Sequence, residues 1–402
     1  MDKVDKIFES FVGESIFKNK SILQSNYYPE NILHREEQVG LVASILAPAL
    51  RGERVSNLFI YGNTGTGKTL GVQFVRNKML EKVKELGTDN LKFVYLNCKM
   101  KSLADTEYRI LAELINEMGG KVPATGLPTK EVYSRFVDII DSKKQVILIV
   151  LDEIDQAVQK ISGDFIYSLT RLNSELKNAQ ISLIGISNNL TFMDNIDPRV
   201  KSSLAEEELV FPPYNALQLQ DLLKTRADKA FKENILEEGV IAKCAAFAAR
   251  EHGDARRALD LLRVAGELAE RESKKKVTLE HIDEANRKIE KDKVISIVEN
   301  APRQFQLVLA SIMAIDRRGK NPNGIFTGEV YDEYKAVCEK TKNEELTLRR
   351  LSDILAELDM LGIIYARVIS KGRQGRTREI KPMLSPAIKE QVCEILQKSL
   401  GI

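Results

Sequence analysis

Two kinds of apolar spacing divide the chain. Up to about residue 210, short continuous apolar runs (Leu58–Tyr61, Phe93–Asn97, Val146–Leu151 and Ile181–Ser187) alternate with longer stretches whose apolar residues recur every three or four positions. Short runs separated by helical stretches predict a mainly parallel sheet covered by helices. From Asn215 to about Asp292 only the helical spacing persists, interrupted near Lys232–Glu238, Glu251–Gly253 and Ser273–Thr278. Asn300-Ala301-Pro302 marks a boundary.

Beyond it the pattern changes again. Pro302–Ile315 reads as a helix with Phe305, Leu307, Val308, Leu309, Ile312 and Met313 as candidate core. Thr327 is placed to cap a second helix reaching about Lys340. Thr347–Leu361 is a third, with Leu348, Leu351, Ile354, Leu355 and Leu358 on its apolar face and Gly362 ending it. Ile363–Ser370 then alternates toward Lys371-Gly372-Arg373-Gln374-Gly375-Arg376, and Thr377–Met383 returns: a hairpin with a basic, glycine-containing tip. Three helices and a hairpin in this order predict a winged helix-turn-helix.

Composition narrows the class. The 402 residues carry 60 Lys/Arg against 58 Asp/Glu, a net charge of +2, so any nucleic-acid-binding surface must be local. It is: six basic residues and one acid, Glu379, lie within 363–383. The cysteines at 98, 244, 338 and 393 lack the short spacing of a zinc site and are expected to be free, reduced and buried. The first residues are mixed and charged, unlike a secretory signal, and no apolar run approaches the ~20 residues that span a bilayer. A cytoplasmic protein without a membrane partner is expected.

Chemistry concentrates at three strand ends and one helix start. Gly62-Asn63-Thr64-Gly65-Thr66-Gly67-Lys68-Thr69 fits the phosphate-loop pattern, follows the run Leu58–Tyr61 and opens a helical stretch near Thr69. Glycines let backbone N–H groups face phosphates, the helix N-terminus favours negative charge, Lys68 supplies a full charge to the β- and γ-phosphates, and the Thr69 hydroxyl can ligate Mg2+. Val146–Leu151 ends in Asp152-Glu153-Ile154-Asp155. At the carboxyl end of a parallel strand, Asp152 would face the Mg2+ of the same nucleotide and Glu153 would polarise the attacking water. Asp155 reads at most as a cap on the next helix. Ile181–Ser187 runs into Asn188 and Asn189, where an amide can hold the water or touch the γ-phosphate. In Gly253-Asp254-Ala255-Arg256, Asp254 is expected to cap a helix that carries Arg256 in its first turn. A cation there opposes the helix dipole, which suggests an anionic partner.

These four features, in this order, resemble the AAA+ superfamily, and more finely the archaeal replication initiators of the origin-recognition and helicase-loader family. The finer resemblance rests on Tyr28–Glu37, on Asp197-Pro198-Arg199 with Glu206–Tyr214, and on Gly253–Arg263, and it covers most of the chain. It implies an α/β AAA+ P-loop core over 1–213, a helical lid over 214–295 and a C-terminal winged-helix DNA-binding domain over 296–402. It implies ATP or ADP with Mg2+, Lys68, Thr69, Asp152 and Glu153 in the two Walker roles, Asn188 as sensor 1 and Arg256 as sensor 2. Tyr28, His34, Arg35, Leu70, Tyr214 and Arg226 join the phosphate loop as implied nucleotide-binding residues. Arg199 falls where the family places an arginine that can reach a neighbour's nucleotide, but Ser203 stands where several eukaryotic relatives carry a second arginine. A DNA-touching insertion would correspond to about Lys99–Pro128.

The implied function is replication initiation: a slow ATPase acting as a switch, binding double-stranded origin DNA, helping to load the replicative helicase, and partnering paralogous initiators in a nucleoid-associated setting. Thr347, Arg349 and Arg350 would meet the major groove, while Lys371, Gly372, Arg373, Arg376 and Arg378 would grip phosphate or enter the minor groove. Two competing readings remain at this point: a clamp-loader-like motor, and an AAA+ regulator whose winged helix docks protein.

Overall fold

The computed structural model describes residues 15–99, 106–123, 126–161, 163–194, 196–319, 324–370 and 376–401, with backbone alone at 159, 164, 194, 370 and 376. The chain divides into two compact units, with the break between Ile282 and Asp283.

In the first unit, five strands, β1 (Leu58–Tyr61), β2 (Leu91–Asn97), β3 (Gln145–Asp152), β4 (Ala179–Ser187) and β5 (Glu207–Val210), form one sheet in the order β2-β3-β4-β1-β5. Every pairing is parallel. The reason is visible in β3, all of whose residues are buried. Ile147, Ile149 and Leu151 join Phe59, Val94 and Leu183 in one core, while Val146, Leu148 and Val150 join Leu58, Ile60 and Ile184 in the other. A strand with two apolar faces needs helices on both, and parallel crossovers supply them. The expected strands are present with edges extended by up to two residues. The pattern gave no sign of β5, whose Glu-Glu-Leu-Val buries only Leu209.

Helix Lys68–Leu86 follows β1, and helix Glu107–Glu117 lies in the region expected to hold the DNA-touching insertion. The second of these turns Ile110, Leu111, Leu114 and Ile115 into the sheet core. Helices Ala216–Ala230, Val240–Arg250 and Ala255–Arg271 follow, separated where the apolar spacing lapses. Asn215 and Gln218 form a reciprocal capping box on the first, and Asp254 accepts from the N–H groups of Arg256 and Arg257 on the third. Residues Ser15–Leu23 bind to this helical layer. Phe17 bridges Phe231 and packs where a Cβ on Gly266 would stand 2.4 Å from its ring, so only glycine fits there. Lys20 pairs with Glu267, which also holds Arg263.

Helix Leu279–Asn300 runs without interruption through the expected boundary at 295/296, since nothing breaks it before Asn300 and Pro302. The second unit contains helices Arg303–Arg317, Thr327–Thr341, Leu348–Met360 and Pro386–Leu400, with the small sheet β6 (Ile325–Phe326), β8 (Arg376–Pro382) and β7 (Ile364–Ser370) in that spatial order. All six expected core residues of the first helix are buried. Two expectations change, and one element is new. Thr327 is the first helical residue, not the cap, and its hydroxyl accepts from the Arg378 N–H. Leu348 is 47% exposed, because it sits in the first turn of its helix while the core begins one turn later at Leu351. The closing helix Pro386–Leu400, unanticipated, covers the core with Val392, Cys393, Leu396 and Leu400.

All four cysteines are buried. Among the described residues no helix is long and apolar enough to cross a membrane.

Candidate functional site: a nucleotide cleft and an exposed helix start

Parallel pairing in register brings the carboxyl ends of four strands to one edge. Tyr61 stands beside Ser187, Asp152 beside Ile186, and Asn97 beside Asp152. The phosphate loop leaves β1 at this edge, Asp152 and Glu153 end β3, and Asn188 follows β4. Residues far apart in sequence thus meet because the sheet aligns them.

The loop's shape depends on its glycines. A Cβ on Gly62 would lie 2.3 Å from the Phe211 carbonyl, and one on Gly65 1.7 Å from the Asp254 carboxylate. Thr66 Oγ1 donates to the Asn63 carbonyl at 2.9 Å. The Lys68 ammonium donates to the carbonyls of Gly62 and Asn63 at 2.8 and 2.7 Å. Asp254 reaches back to the loop: Thr64 Oγ1 donates to it at 3.3 Å, and Ala255 N donates to the Gly65 carbonyl at 3.2 Å. Burial pushes the Lys68 ammonium down to about 8; Asp152 opposes this and the nearby Arg256 charge adds to it. A desolvated lysine beside an arginine is a place where an anion relieves both charges.

Asp152 is 5% exposed and held by three donors. Thr69 Oγ1 and the Tyr95 hydroxyl donate to its Oδ2 at 2.8 and 2.6 Å, and the Glu153 N–H donates to its Oδ1 at 3.0 Å. Burial and then the Asp152 charge push the Tyr95 phenol far above its ordinary range, so it remains a donor. Glu153 adopts a left-handed backbone (φ 54°), which costs a non-glycine residue roughly 1–3 kcal/mol and turns its side chain off the strand line. Its carboxylate lies 3.4 Å from Lys99 Nζ. Asp155 is not a cap: it is buried in the second position of the helix and accepts from Ser187 Oγ at 2.8 Å, tying β3 to β4.

A cleft of roughly 270 Å³ is lined by Gly65, Gly67, Lys68, Thr69, Leu70, Asp152, Glu153, Asn188, Tyr214, Arg226 and Arg256. Most of the expected site residues are therefore brought together. Gln24, Ser25, Tyr27, Tyr95, Asn97, Leu222, Ala255 and Leu259 complete the wall. A smaller adjoining cavity, lined by Ile32, Leu33, Leu70, Tyr214 and Leu222, offers a more apolar end. Within the phosphate loop, Gly62, Asn63, Thr64 and Thr66 are not part of this lining, and three expected residues outside the loop also stand off it. Tyr28 is absent from it; its neighbour Tyr27 lines both cavities, with the Arg226 guanidinium 4.4 Å above its ring. His34 turns its ring to Asp221 at 3.1 Å. Arg35, 2% exposed, donates to the carbonyls of Thr66, His34 and Pro212 and stacks 3.6 Å over Tyr214. It is a post beneath the phosphate loop rather than a group aimed into the cleft.

In the second unit, the Thr347 hydroxyl caps its helix through the Arg350 N–H, and Thr347, Leu348, Arg349 and Arg350 are all exposed. Arg378 is less available than expected: Nη1 donates to the Ser352 carbonyl at 2.5 Å, bracing the hairpin against that helix. Leu348, Ser352, Val368, Thr377 and Arg378 line a shallow groove there. Lys371, Gly372 and Arg373 lie outside the described residues, as does the Arg376 side chain.

Fold and cleft together define the class, a P-loop ATPase of AAA+ type with a helical lid, joined to a winged helix. Residues 52–193 match the AAA domain, 220–287 the Cdc6 AAA+ ATPase-type lid domain and 296–390 the CDC6 C terminal winged helix domain. The chain is 51% identical over 388 residues to the ORC1-type DNA replication protein of Pyrococcus abyssi, covering 95% of this chain and 91% of that one. It is 50% identical over 378 residues to ORC1-type DNA replication protein 1 of Methanosarcina mazei, with 94% and 90% covered. The solved ORC1 protein of Aeropyrum pernix, in complex with DNA, superposes with a TM-score of 0.85 at 44% identity, covering 96% and 98% of the two chains. The chain belongs to the ORC1-type/Cdc6 family of archaeal DNA replication initiators.

Proposed function

We propose that the chain is an ATP-switched initiator that binds duplex DNA at replication origins through its winged helix and helps to recruit or load the replicative helicase, alone or beside paralogous initiators. Nucleotide in the cleft touches both the α/β core and the lid, through Lys68 on one side and Arg256 on the other, so the presence of the γ-phosphate sets their relation. Lys68 and Arg256 hold phosphate, Glu153 polarises the attacking water, and Asn188 orients it. The donor set fits Mg2+: Thr69 gives its single proton to Asp152 and keeps oxygen lone pairs free, and a cation of this kind is held by one or two protein oxygens together with phosphates. Bound there, Mg2+ would neutralise charge on the phosphates. Hydrolysis serves as a slow reset.

The observation that carries the DNA reading is the exposed start of helix Leu348–Met360, where Arg349 and Arg350 stand beside a hairpin rich in basic residues. Recognition helices of this fold present their N-terminal residues to base edges. The test is binding of the full chain to origin fragments of its own genome and to equally long non-origin duplexes, in ATP and in ADP. Tighter binding to origin fragments supports the reading; no binding in either nucleotide state overturns it. That second result would favour the other reading, a winged helix that docks protein, for which exposed Met360 (82%), Met383 (62%) and Tyr365 (52%) speak.

A further inference from the structure

Asp152 is reached by a side chain that no motif contains. Tyr95 projects from β2, two residues before the strand ends, and its hydroxyl donates to Asp152 Oδ2 at 2.6 Å. The same oxygen accepts from Thr69 Oγ1 at 2.8 Å, while Oδ1 accepts from the Glu153 N–H at 3.0 Å. Register explains the reach, since β2 pairs with β3 so that Tyr95 lies beside Val150 and Asn97 beside Asp152. Tyr95 and Asn97 both line the cleft, and Asn97 is itself fixed by accepting from the Lys99 N–H at 2.9 Å.

These hydrogen bonds constrain the carboxylate in a particular way. One donor on Oδ1 and two on Oδ2 fix both its plane and its rotation. Thr69 has one proton, and giving it to Asp152 points its lone pairs elsewhere. Tyr95 occupies a second lone-pair direction of Oδ2, so the carboxylate cannot rotate away from Thr69 without breaking two bonds. Groups that orient a metal-binding carboxylate in this manner typically contribute about 10–100-fold to metal affinity.

We propose that Tyr95 is a positioning residue for the divalent cation of the nucleotide site, acting through Asp152 and Thr69. The inference rests on the assignment of Mg2+ to Thr69 and Asp152. Removing the hydroxyl alone weakens the cation's contribution to nucleotide binding and leaves metal-independent binding intact.

The test compares the full-length chain with Tyr95→Phe by calorimetric titration of ADP, once in saturating Mg2+ and once in EDTA. The parent chain gains affinity from Mg2+; in the variant that gain falls about tenfold while the affinity in EDTA is unchanged. An equal gain in both chains overturns the proposal, and so does an equal loss with and without Mg2+, which is what a packing role would give. No gain in the parent chain removes the Mg2+ assignment, and the inference with it. A second measurement leaves Asp152 its donor: 3-fluorotyrosine at position 95 is followed by 19F resonance. Its signal moves when Mg2+ joins bound ADP, and a signal that stays in place contradicts the proposal.

Discussion

Arg35, behind the nucleotide cleft, and Arg349 and Arg350, at the start of helix Leu348–Met360, are put to opposite uses. Arg35 is 2% exposed and commits its donors to three carbonyls and its face to Tyr214. Arg349 and Arg350 stand exposed in the first turn of a helix, where the dipole disfavours a cation. In the first region charge is consumed in building a rigid pocket, and only a few cations, Lys68 and Arg256 among them, face its interior. In the second, charge is left on the surface beside an uncovered Leu348. On the proposed reading a small anionic ligand would be met by a buried scaffold with a few aimed groups, and a long polyanion by exposed ones, of which Arg350 is held only by a surface pair with Asp353.

The largest expected effect sharpens the first half of this contrast. Glu153→Gln keeps the shape but removes the proposed base, so single-turnover hydrolysis is expected to fall about 10²–10⁴-fold while ADP affinity stays level. Hydrolysis at the parent rate would remove Glu153 from the chemistry. Next is the stability of the winged helix. Leu351→Ala, at a fully buried site, costs about 2–5 kcal/mol in denaturant unfolding. Leu348→Ala, one turn earlier, changes stability by about 0.5 kcal/mol or less and weakens DNA binding instead. Equal unfolding costs would mean that Leu348 belongs to the core.

That pair of leucines shows where the sequence was legible and where it was not. Periodicity places both on one face of the helix, but only position within the helix tells that the first turn projects past the core. The phosphate loop was readable because eight consecutive residues carry it, and Asp152–Glu153 because a buried strand ends in acids. Tyr27 and Tyr95 had no such signal. Each reaches the cleft from a separate segment, and only the strand register or the path of the N-terminal segment brings it there. Arg35 was legible as a residue but not in its task, because burial among carbonyls is a tertiary fact. Strand β5 escaped notice because an edge strand with one buried face needs only Leu209.

Smaller effects probe how the lid is held. Gly65→Ala places a Cβ against Asp254 in a left-handed backbone and lowers stability by about 1–3 kcal/mol, with weaker ADP binding in the same titration. Unchanged stability would mean that the lid does not rest on the loop. The smallest effect is pH-dependent. Burial alone would raise the Glu267 carboxyl, but Lys20 and then Arg263 outweigh it and hold the carboxyl below its usual range. A depressed carboxyl contributes stability above its unfolded value, and that contribution is lost as pH falls through the folded one. Lys20→Met therefore costs about 0.2–1 kcal/mol near neutrality, and the difference from the parent chain vanishes in acid as Glu267 is protonated. A difference independent of pH would assign Lys20 to packing instead.

If the cleft and the winged helix serve separate anions, the two binding activities must come apart. Duplex DNA affinity across a salt series decides this, for the full chain and for Arg349→Ala/Arg350→Ala, with ADP affinity measured on both. The expected log–log salt slope is shallower by about 1–2 in the variant, at about 0.9 for each phosphate no longer neutralised, with ADP affinity unchanged. An unaltered slope, or a loss of ADP binding in step with DNA binding, would contradict this division of labour.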